Sequence, residues 1–393
     1  MITKIIGIGA AGNKAAIAAV EDNVVKTDDV LIINSTKKDI PADYKGSVYC
    51  FTNAYGGCGK ERSVAKNLML SALQSGDMGL EEFLGVNTDK QAELVVIVSS
   101  TEGGTGSGSA PILAKYINDV CGINVHCFAF TGFEEDGRGL RNTIEYMQEM
   151  EPTFTLEVLQ NSKYLDEFNG NRIKAEVAAN TDFTKKIGVL IGNPLRDSMH
   201  NIDQTDLLKI ATEAGYMDIE FREFKKLKNK QEFSKLIQAM VDESKTLDLD
   251  SPSQKKMAVI INIDENNTDI IDYQSVLTSK FGMCFEKFEH IQHEKDMPEF
   301  IAFIIAGLKI PVDEIKDIYE KYKSYTNQVD KSSDSFFAQK NEFALDQQDD
   351  VFNLKKKKTM DAGSFFNKLG DQKFGNTQVK VATVKDDDVS GEY

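Results

Sequence analysis

Short apolar runs alternate with segments of helical pattern over the first 190 residues of the chain. The runs are apolar at almost every position, which is typical of strands covered by helices on both faces. Segments of helical pattern at 13–20, 60–74 and 110–120 separate them. This order predicts an α/β fold with a doubly wound sheet of parallel strands. The predicted strands are 5–8, 29–34, 94–99 and 125–130.

The pattern changes after residue 200. Residues 200–245 are strongly charged and predict helices, and a further helix is predicted at 273–281. Pro311 fits the first turn of a last helix, which we expect to end near residue 327. Residues 331–393 are rich in Ser, Asp, Gln and Lys, so we expect a largely disordered tail. The apolar runs that predict strands of a second, smaller α+β domain are 257–263, 283–291 and 300–308.

Charge and cysteine content exclude several classes of protein. The 393 residues carry a net charge of −16, which argues against a protein that wraps nucleic acid. Five cysteines without a Cys-x-x-Cys pair argue against a disulfide framework or a structural zinc and fit a reducing compartment. The run at 300–308 is too short to span a membrane. We therefore expect a cytoplasmic protein without a membrane partner.

A first glycine loop follows the first predicted strand. Gly7-Ile-Gly9-Ala-Ala-Gly12-Asn13 lets backbone N–H groups approach a phosphate at a helix N-terminus, although a tight turn would use the same glycines. A nicotinamide dinucleotide site would place an acid at the end of the second strand, where this chain has Asn34. A P-loop ending in Gly-Lys-Ser or Gly-Lys-Thr is also absent from the sequence.

A second glycine segment lies between an apolar strand and a helix. Ser99-Ser-Thr-Glu-Gly-Gly-Thr-Gly-Ser-Gly-Ser109 offers successive N–H groups and hydroxyls to a polyphosphate. A flexible linker is the alternative, but a linker would not stand between these two elements. The segment predicts a phosphate site.

Gly103-Gly-Thr-Gly-Ser-Gly108 resembles the signature loop of the tubulin/FtsZ superfamily of GTP-dependent filament proteins. The resemblance implies a Rossmann-like GTP-binding domain at 1–173, a central helix region at 174–200 and a GTPase-activating domain at 201–309. A C-terminal helix at 310–330 and the tail at 331–393 would follow. The implied cofactors are GTP or GDP and Mg²⁺, the metal being held mainly by the GTP phosphates, with Asp203 as a further candidate ligand.

The resemblance also implies a set of nucleotide-binding residues. They lie in the two glycine loops, in a loop that senses the γ-phosphate, in a loop after the strand at 125–130, and at two asparagines that contact guanine. Departures from the FtsZ spacing leave open which acid and which arginine of 134–141 are used. The residues are Gly9, Ala10, Ala11, Asn13, Gly57, Cys58, Lys60, Gly103, Gly104, Thr105, Gly106, Ser107, Asp136, Arg138, Arg141, Asn161 and Asn180. The aromatic ring that often stacks on guanine is absent, since Glu176 lies near its place.

A second motif, Asn201-Ile-Asp203-Gln-Thr-Asp206, resembles the family's catalytic loop. The resemblance implies that Asn201, Asp203 and Asp206 enter the site of the next subunit, where the acids polarise the attacking water. An acid-rich helix start, with Asp203 as N-cap, is the alternative interpretation.

The chain looks most like the plasmid and bacteriophage tubulins of the TubZ type. That resemblance implies head-to-tail homopolymers for segregating or positioning DNA, and a DNA-binding adaptor protein held by the C-terminal tail. Lys355-Lys-Lys-Lys358 could contact DNA or an acidic face, and residues 362–369 could fold as a short helix on a partner; a solvated spacer is the alternative. A non-polymerising GTP-binding regulator and an FtsZ-like division protein stay open.

Overall fold

The computed structural model describes residues 1–51, 56–133, 136–150, 153–196, 202–252, 255–326 and 362–370. Within these residues ten strands form one sheet. The strands are β1 (Thr3–Ile8), β2 (Val30–Asn34), β3 (Ser47–Cys50), β4 (Leu94–Ser100), β5 (Asn124–Phe130), β6 (Thr155–Leu159), β7 (Gly215–Glu223), β8 (Lys256–Asn262), β9 (Glu286–Gln292) and β10 (Phe300–Leu308).

The strand order is β3-β2-β1-β4-β5-β6-β7-β10-β8-β9. All neighbours from β3 to β7 are parallel, β10 is antiparallel to both of its neighbours, and β8 and β9 are parallel. The predicted doubly wound α/β sheet is confirmed. Strands β6 and β7 pair at two positions, and this pairing joins the strands of both predicted domains in one sheet. The domain boundaries stay a prediction.

Eleven helices of the described body, and one in the tail, cover the sheet. They are α1 (Gly9–Glu21), α2 (Arg62–Ser75), α3 (Leu80–Leu84), α4 (Gly104–Asp119), α5 (Gly137–Met150), α6 (Asn161–Glu167), α7 (Arg172–Leu190), α8 (Gln204–Ala211), α9 (Lys230–Asp242), α10 (Gln274–Phe281), α11 (Val312–Thr326) and the tail helix (Ala362–Gly370).

The two faces of the sheet bury two separate hydrophobic clusters. Ile6 and Ile97 point into the cluster under α2, α4 and α5, whereas Ile5 and Val96 point into the cluster under α1 and α7. Because successive side chains of a strand alternate between faces, both faces must be apolar. This double burial explains why the predicted strands show no alternation with polar residues.

The helix after the second glycine segment begins earlier than predicted. It was expected at 110–120, but α4 begins at Gly104, so Gly104–Ser107 form its first turn. A Cβ atom on Gly108 would lie 2.5 Å from the carbonyl oxygen of Arg62. The glycines therefore allow α4 to pack closely against α2, besides leaving N–H groups free at the helix start.

The prediction of helices over 200–245 is confirmed at α8 and α9 and is wrong between them, where strand β7 lies. Its charged residues Asp218 and Glu220 are buried rather than solvated. Lys186 of α7 explains this, since its Nζ lies 2.9 Å from Glu157 Oε1 and 3.2 Å from Glu220 Oε1. Burial raises the pKa of Glu157 to about 8 and that of Glu220 to about 7, and the Lys186 ammonium offsets only part of this rise.

Lys186→Ala is expected to destabilise the protein by about 3 kcal/mol, because it leaves two buried carboxyl groups without their cation. The free energy of unfolding in urea would measure the loss. Lys185→Ala, at an exposed position of the same helix, is the matched control. A Lys186→Ala protein as stable as the control would contradict a structural role for this ammonium.

The tail helix packs on the body of its own chain. Phe365 is only 3% exposed, and its ring meets the ring of Tyr116 in α4 edge to face, with centroids 5.4 Å apart. The short helix predicted at 362–369 is confirmed as a helix, and its contact with a partner stays a prediction. Lys355–Lys358 lie outside the described residues, as do all residues of 331–393 other than 362–370. No helix among the described residues is long and apolar enough to span a membrane.

Candidate nucleotide site

A cavity of about 320 Å³ lies at the carboxyl ends of β1, β4, β5 and β6. Parallel sheets bind ligands at this edge, where the loops after neighbouring strands converge. The first half of α7 closes one side. Its lining residues are Ala10, Ala11, Lys14, Lys60, Ser100, Glu102, Gly103, Phe130, Thr131, Gly132, Phe133, Asp136, Asn161, Arg172, Glu176, Ala179 and Asn180.

The first glycine loop passes directly into α1, and Ala10 and Ala11 line the cavity. Gly9 has a φ of +73°, which favours glycine, and a Cβ atom there would lie 3.1 Å from the backbone nitrogen of Gly106. The two glycine loops therefore touch. Both α1 and α4 start at the cavity, and the positive ends of two helix dipoles lie beside it.

The second glycine segment supplies the start of α4. Gly103 has an ordinary φ of −68°, and no atom lies within 4 Å of a Cβ atom built on it. Ser107 Oγ donates to the Gly103 carbonyl oxygen, and Thr105 Oγ1 lies 2.8 Å from Ser35 Oγ. Since the first N–H groups of a helix have no partner within it, this turn can bind an anion.

Lys60 is the cation of the loop that precedes α2. It lines the cavity and pairs with Asp136, which lies just before α5. The hydrogen bond from Lys60, together with the Gly139 N–H at 2.8 Å, lowers the pKa of Asp136. Gly57 is exposed in this loop, and Cys58 is buried beside Gly104.

Two asparagines contribute amides to the cavity. Asn161 begins α6 directly after β6, and its Nδ2 donates to the Thr131 carbonyl oxygen at 2.7 Å. Its Oδ1 is buried and has no hydrogen-bond partner among the described residues. Asn180 lines the cavity from α7. An unpartnered buried acceptor is costly, so Asn161 Oδ1 is suited to accept a ligand N–H group.

The acids Asp203 and Asp206 form the N-terminal cap of α8. Asp203 Oδ1 accepts from the Asp206 N–H at 2.8 Å, and Asp206 Oδ2 accepts from the Asp203 N–H at 3.3 Å. The alternative interpretation, an acidic helix start, is therefore correct for the local structure. Asp203 is nevertheless exposed, and Asn201 lies outside the described residues.

This acidic cap lies far from the cavity of its own chain. The amino group of Met1, before the amino end of β1, donates to Gln204 Oε1, whereas Ala10 follows the carboxyl end of β1. A strand of this length spans about 20 Å. Helix α7 leads the same way, since from Asn180 to Leu190 it runs about 15 Å further from the cavity.

No protein-family model matches the sequence, but several solved structures share its fold. TubZ of Clostridium botulinum phage c-st is 18% identical, and the match covers 83% of this chain and 97% of that chain with a TM-score of 0.59. CetZ2 of Haloferax volcanii, solved as a GTPγS-bound protofilament, is 16% identical over 83% and 99% of the chains, with a TM-score of 0.64. An empty FtsZ dimer from M. jannaschii is 17% identical over 78% and 92%, with a TM-score of 0.59.

The chain has the tubulin/FtsZ fold. The fold anticipated from the glycine segment is thus confirmed, including a central helix, α7, that leads from the cavity to the acidic cap.

Three residues that the sequence suggested as nucleotide ligands are held by other contacts of the chain, and their role stays a prediction. Arg138 pairs with Glu61, and Arg141 Nε donates to Glu145 Oε1 at 2.8 Å. Neither arginine lines the cavity. Asn13 is fully buried, and its amide nitrogen can donate to the carbonyl oxygens of Gly7, Gly9 and Ile33. We therefore expect Asn13 to shape the first glycine loop. The rest of the predicted set lies at the cavity or in the loops around it.

The cavity also contains side chains that sequence reasoning missed. Lys14 lies one turn after Ala10 in α1 and pairs with Glu176, and the Arg172 guanidinium lies 5.3 Å from the centre of the Phe133 ring. The spacing of Lys14 from the glycine loop was a usable signal, because residues four apart share a helix face. Nothing in the sequence indicated that Phe133 and Arg172 would meet.

Proposed function

We propose that this chain is a GTPase that assembles head to tail into filaments and hydrolyses GTP at the contacts between subunits. The observation that carries the proposal is the placement of the cavity and the acidic cap at opposite ends of one molecule. The cavity of one molecule can therefore meet the acids Asp203 and Asp206 only if these come from a second copy of the chain. Repeating such a contact gives an open filament when the rotation does not close a ring.

The phosphates are proposed to lie at the starts of α1 and α4. Free N–H groups, two helix dipoles and the hydroxyl-rich turn after Gly103 all favour negative charge there. Lys60 lies at the same end of the cavity and would exchange its ion pair with Asp136 for one with a terminal phosphate.

Mg²⁺ would neutralise phosphate charge when bound, with Asp203 of a neighbouring subunit as a candidate ligand. Among the described residues, no cluster of three or more acids, histidines or cysteines forms a metal site.

The base is proposed to lie between α6 and α7. Guanine presents N–H donors on one edge, and the unpartnered Asn161 Oδ1 can accept one of them, while the Asn180 amide can donate or accept. Adenine lacks an N–H at the corresponding ring position, so the same acceptor favours guanine. Glu176 lies near the place where an aromatic ring would stack on guanine. The Phe133 ring, with Arg172 against it, offers a flat apolar surface for stacking instead.

Hydrolysis would need the acids of the next subunit. Phosphoryl transfer depends on positioning and charge, and an acid near the phosphates can orient the attacking water. Asp203 is exposed and held in place by its capping bonds, so it can project from one end of the molecule into another subunit's site. CetZ2, a protein of this fold, is known as a GTPγS-bound protofilament, which supports self-association with a guanine nucleotide bound.

The biological role is proposed to be that of the TubZ-type tubulins, namely cytoplasmic filaments that segregate or position plasmid or phage DNA through an adaptor bound by the tail. The support is the phage TubZ among proteins of this fold and the lysine cluster in the tail. A regulator that binds GTP without polymerising is the alternative, and the exposed acidic cap disfavours it.

Gly103→Asp is expected to weaken GTP binding by about 100-fold, because it places a carboxylate beside the phosphates. The backbone at Gly103 suits any residue and a side chain there meets no atom, so the protein should fold normally. Gly103→Ala is the matched neutral control and should bind GTP within about threefold of wild type. Isothermal titration with GTP measures both. Equal affinities for the two variants would place the phosphates elsewhere.

Light scattering after addition of GTP, with phosphate release followed in the same sample, tests the whole proposal. Over a series of protein concentrations, scattering should rise above a critical concentration and turnover should rise with it. GTP binding without scattering or turnover at any concentration would favour the regulator.

A further inference from the structure

Two loops flank the phosphate end of the cavity, and one of them has a strained backbone. The 56–60 loop carries left-handed φ angles at two consecutive residues, Gly59 at +55° and Lys60 at +61°. A left-handed lysine is unfavourable by itself, so other contacts must stabilise this conformation. The second loop, 99–108, runs from β4 into α4 and contains Gly103.

A single side chain of α5 bridges both loops. The Nδ2 atom of Asn142 donates to the Lys60 carbonyl oxygen at 3.0 Å and to the Glu102 carbonyl oxygen at 2.8 Å. An amide nitrogen carries two hydrogens, so Asn142 uses one for each loop. Asn142 is only 4% exposed and does not line the cavity, so water cannot easily replace either bond.

Other contacts between the loops and α5 agree with this bridge. Asp136, at the start of α5, pairs with the Lys60 ammonium. Arg62, which begins α2 after the 56–60 loop, donates to the Ser107 carbonyl oxygen at 2.9 Å and pairs with Glu145 and Glu149 of α5, each at 2.9 Å. Both loops are therefore fastened to one helix by polar contacts, among which those of Asn142 and Arg62 are made by buried side chains.

We propose that α5 is the frame that holds both phosphate loops, and that Asn142 is a positioning residue which sets their spacing for a nucleoside triphosphate. The inference rests on the proposed function, since it takes the cavity to bind a guanine nucleotide. The starts of α1 and α4 suffice to hold a diphosphate. A third phosphate needs the cation of the 56–60 loop, whose backbone Asn142 fixes.

Loss of the Asn142 bridge should therefore weaken triphosphate binding selectively. Asn142→Leu has nearly the same shape and removes both donors without adding charge. We expect it to lower the affinity for GTPγS by about tenfold, since two hydrogen bonds fix the loop, and the affinity for GDP by less than about threefold. Asn142→Asp removes the same donors and should change the ratio of affinities in the same direction.

The experiment is titration of full-length protein with GTPγS and with GDP, below the concentration at which scattering appears. Gln148→Ala, at an exposed position of α5, is the matched control and should leave the ratio unchanged. Thermal melting shows whether each variant is folded; a general loss of structure would weaken binding of both nucleotides alike.

The outcomes separate this inference from the proposed function. A selective loss of GTPγS affinity in both Asn142 variants supports the positioning role. Equal losses for GTPγS and GDP, or no loss, would overturn it while leaving a wild-type protein that binds GTP. A wild-type protein that binds neither nucleotide would overturn the proposed function and the inference with it.

Discussion

Asp203→Asn is expected to lower GTP turnover by about 10²- to 10⁴-fold, the usual contribution of a general base, while filaments still assemble and persist. Asparagine keeps the oxygen that caps α8 but removes the negative charge that would orient the attacking water. Assembly should continue because GTP binds at the opposite end of the subunit. Without hydrolysis, the contact between subunits is not weakened, so filaments should accumulate.

Phosphate release and sedimentation of polymer, measured on the same samples, test this prediction. Thr205→Ala is the control, because Thr205 is exposed in the same first turn of α8 and carries no acid. Its turnover should stay within about threefold of wild type, as for most exposed substitutions. If Asp203→Asn hydrolyses GTP at the wild-type rate, Asp203 is not catalytic and capping α8 is its whole role.

Mixing two inactive variants is expected to restore GTP turnover. Gly103→Asp lacks a working phosphate site but keeps its acids, and Asp203→Asn binds GTP but lacks an acid. When a Gly103→Asp subunit presents its α8 end to the cavity of an Asp203→Asn subunit, that contact contains every wild-type group. Because cavity and acids lie at opposite ends, this complementation is possible only between molecules.

Turnover of an equimolar mixture should exceed the sum of the two separate variants by at least about tenfold, a small part of the loss expected for either alone. The double variant Gly103→Asp with Asp203→Asn is the control, because in a mixture with either single variant every contact lacks Asp203 or a working phosphate site. With Asp203→Asn it should restore nothing, because neither protein supplies Asp203. A mixture that stays at the summed rate would mean that each molecule uses its own acids or that the subunits do not meet head to tail.

Most of the sheet could be predicted from the sequence. The apolar runs at 5–8, 94–99 and 125–130 lie within β1, β4 and β5, because strands buried on both faces have no polar side to confuse the pattern. The failure at β7 has a specific cause. Its charged residues resemble a solvated helix until Lys186, distant in sequence, is placed against them.

The candidate site, like the sheet, could be predicted from the sequence only in part. By itself, the sequence determined the glycine loops at the ends of β1 and β4, because a close backbone approach at a helix start requires small residues in consecutive positions. It also determined the acidic cap of α8, whose bonds join Asp203 and Asp206, three residues apart.

Only the tertiary structure decided which side chains reach the cavity. In the fold, Arg138 pairs with Glu61 and Arg172 packs on Phe133. Asn142 donates to two loops that are about 40 residues apart in the chain. The tertiary structure also separated the acidic cap from the cavity by the length of β1. Contacts of this kind depend on where distant segments meet in space, and local pattern carries no information about that.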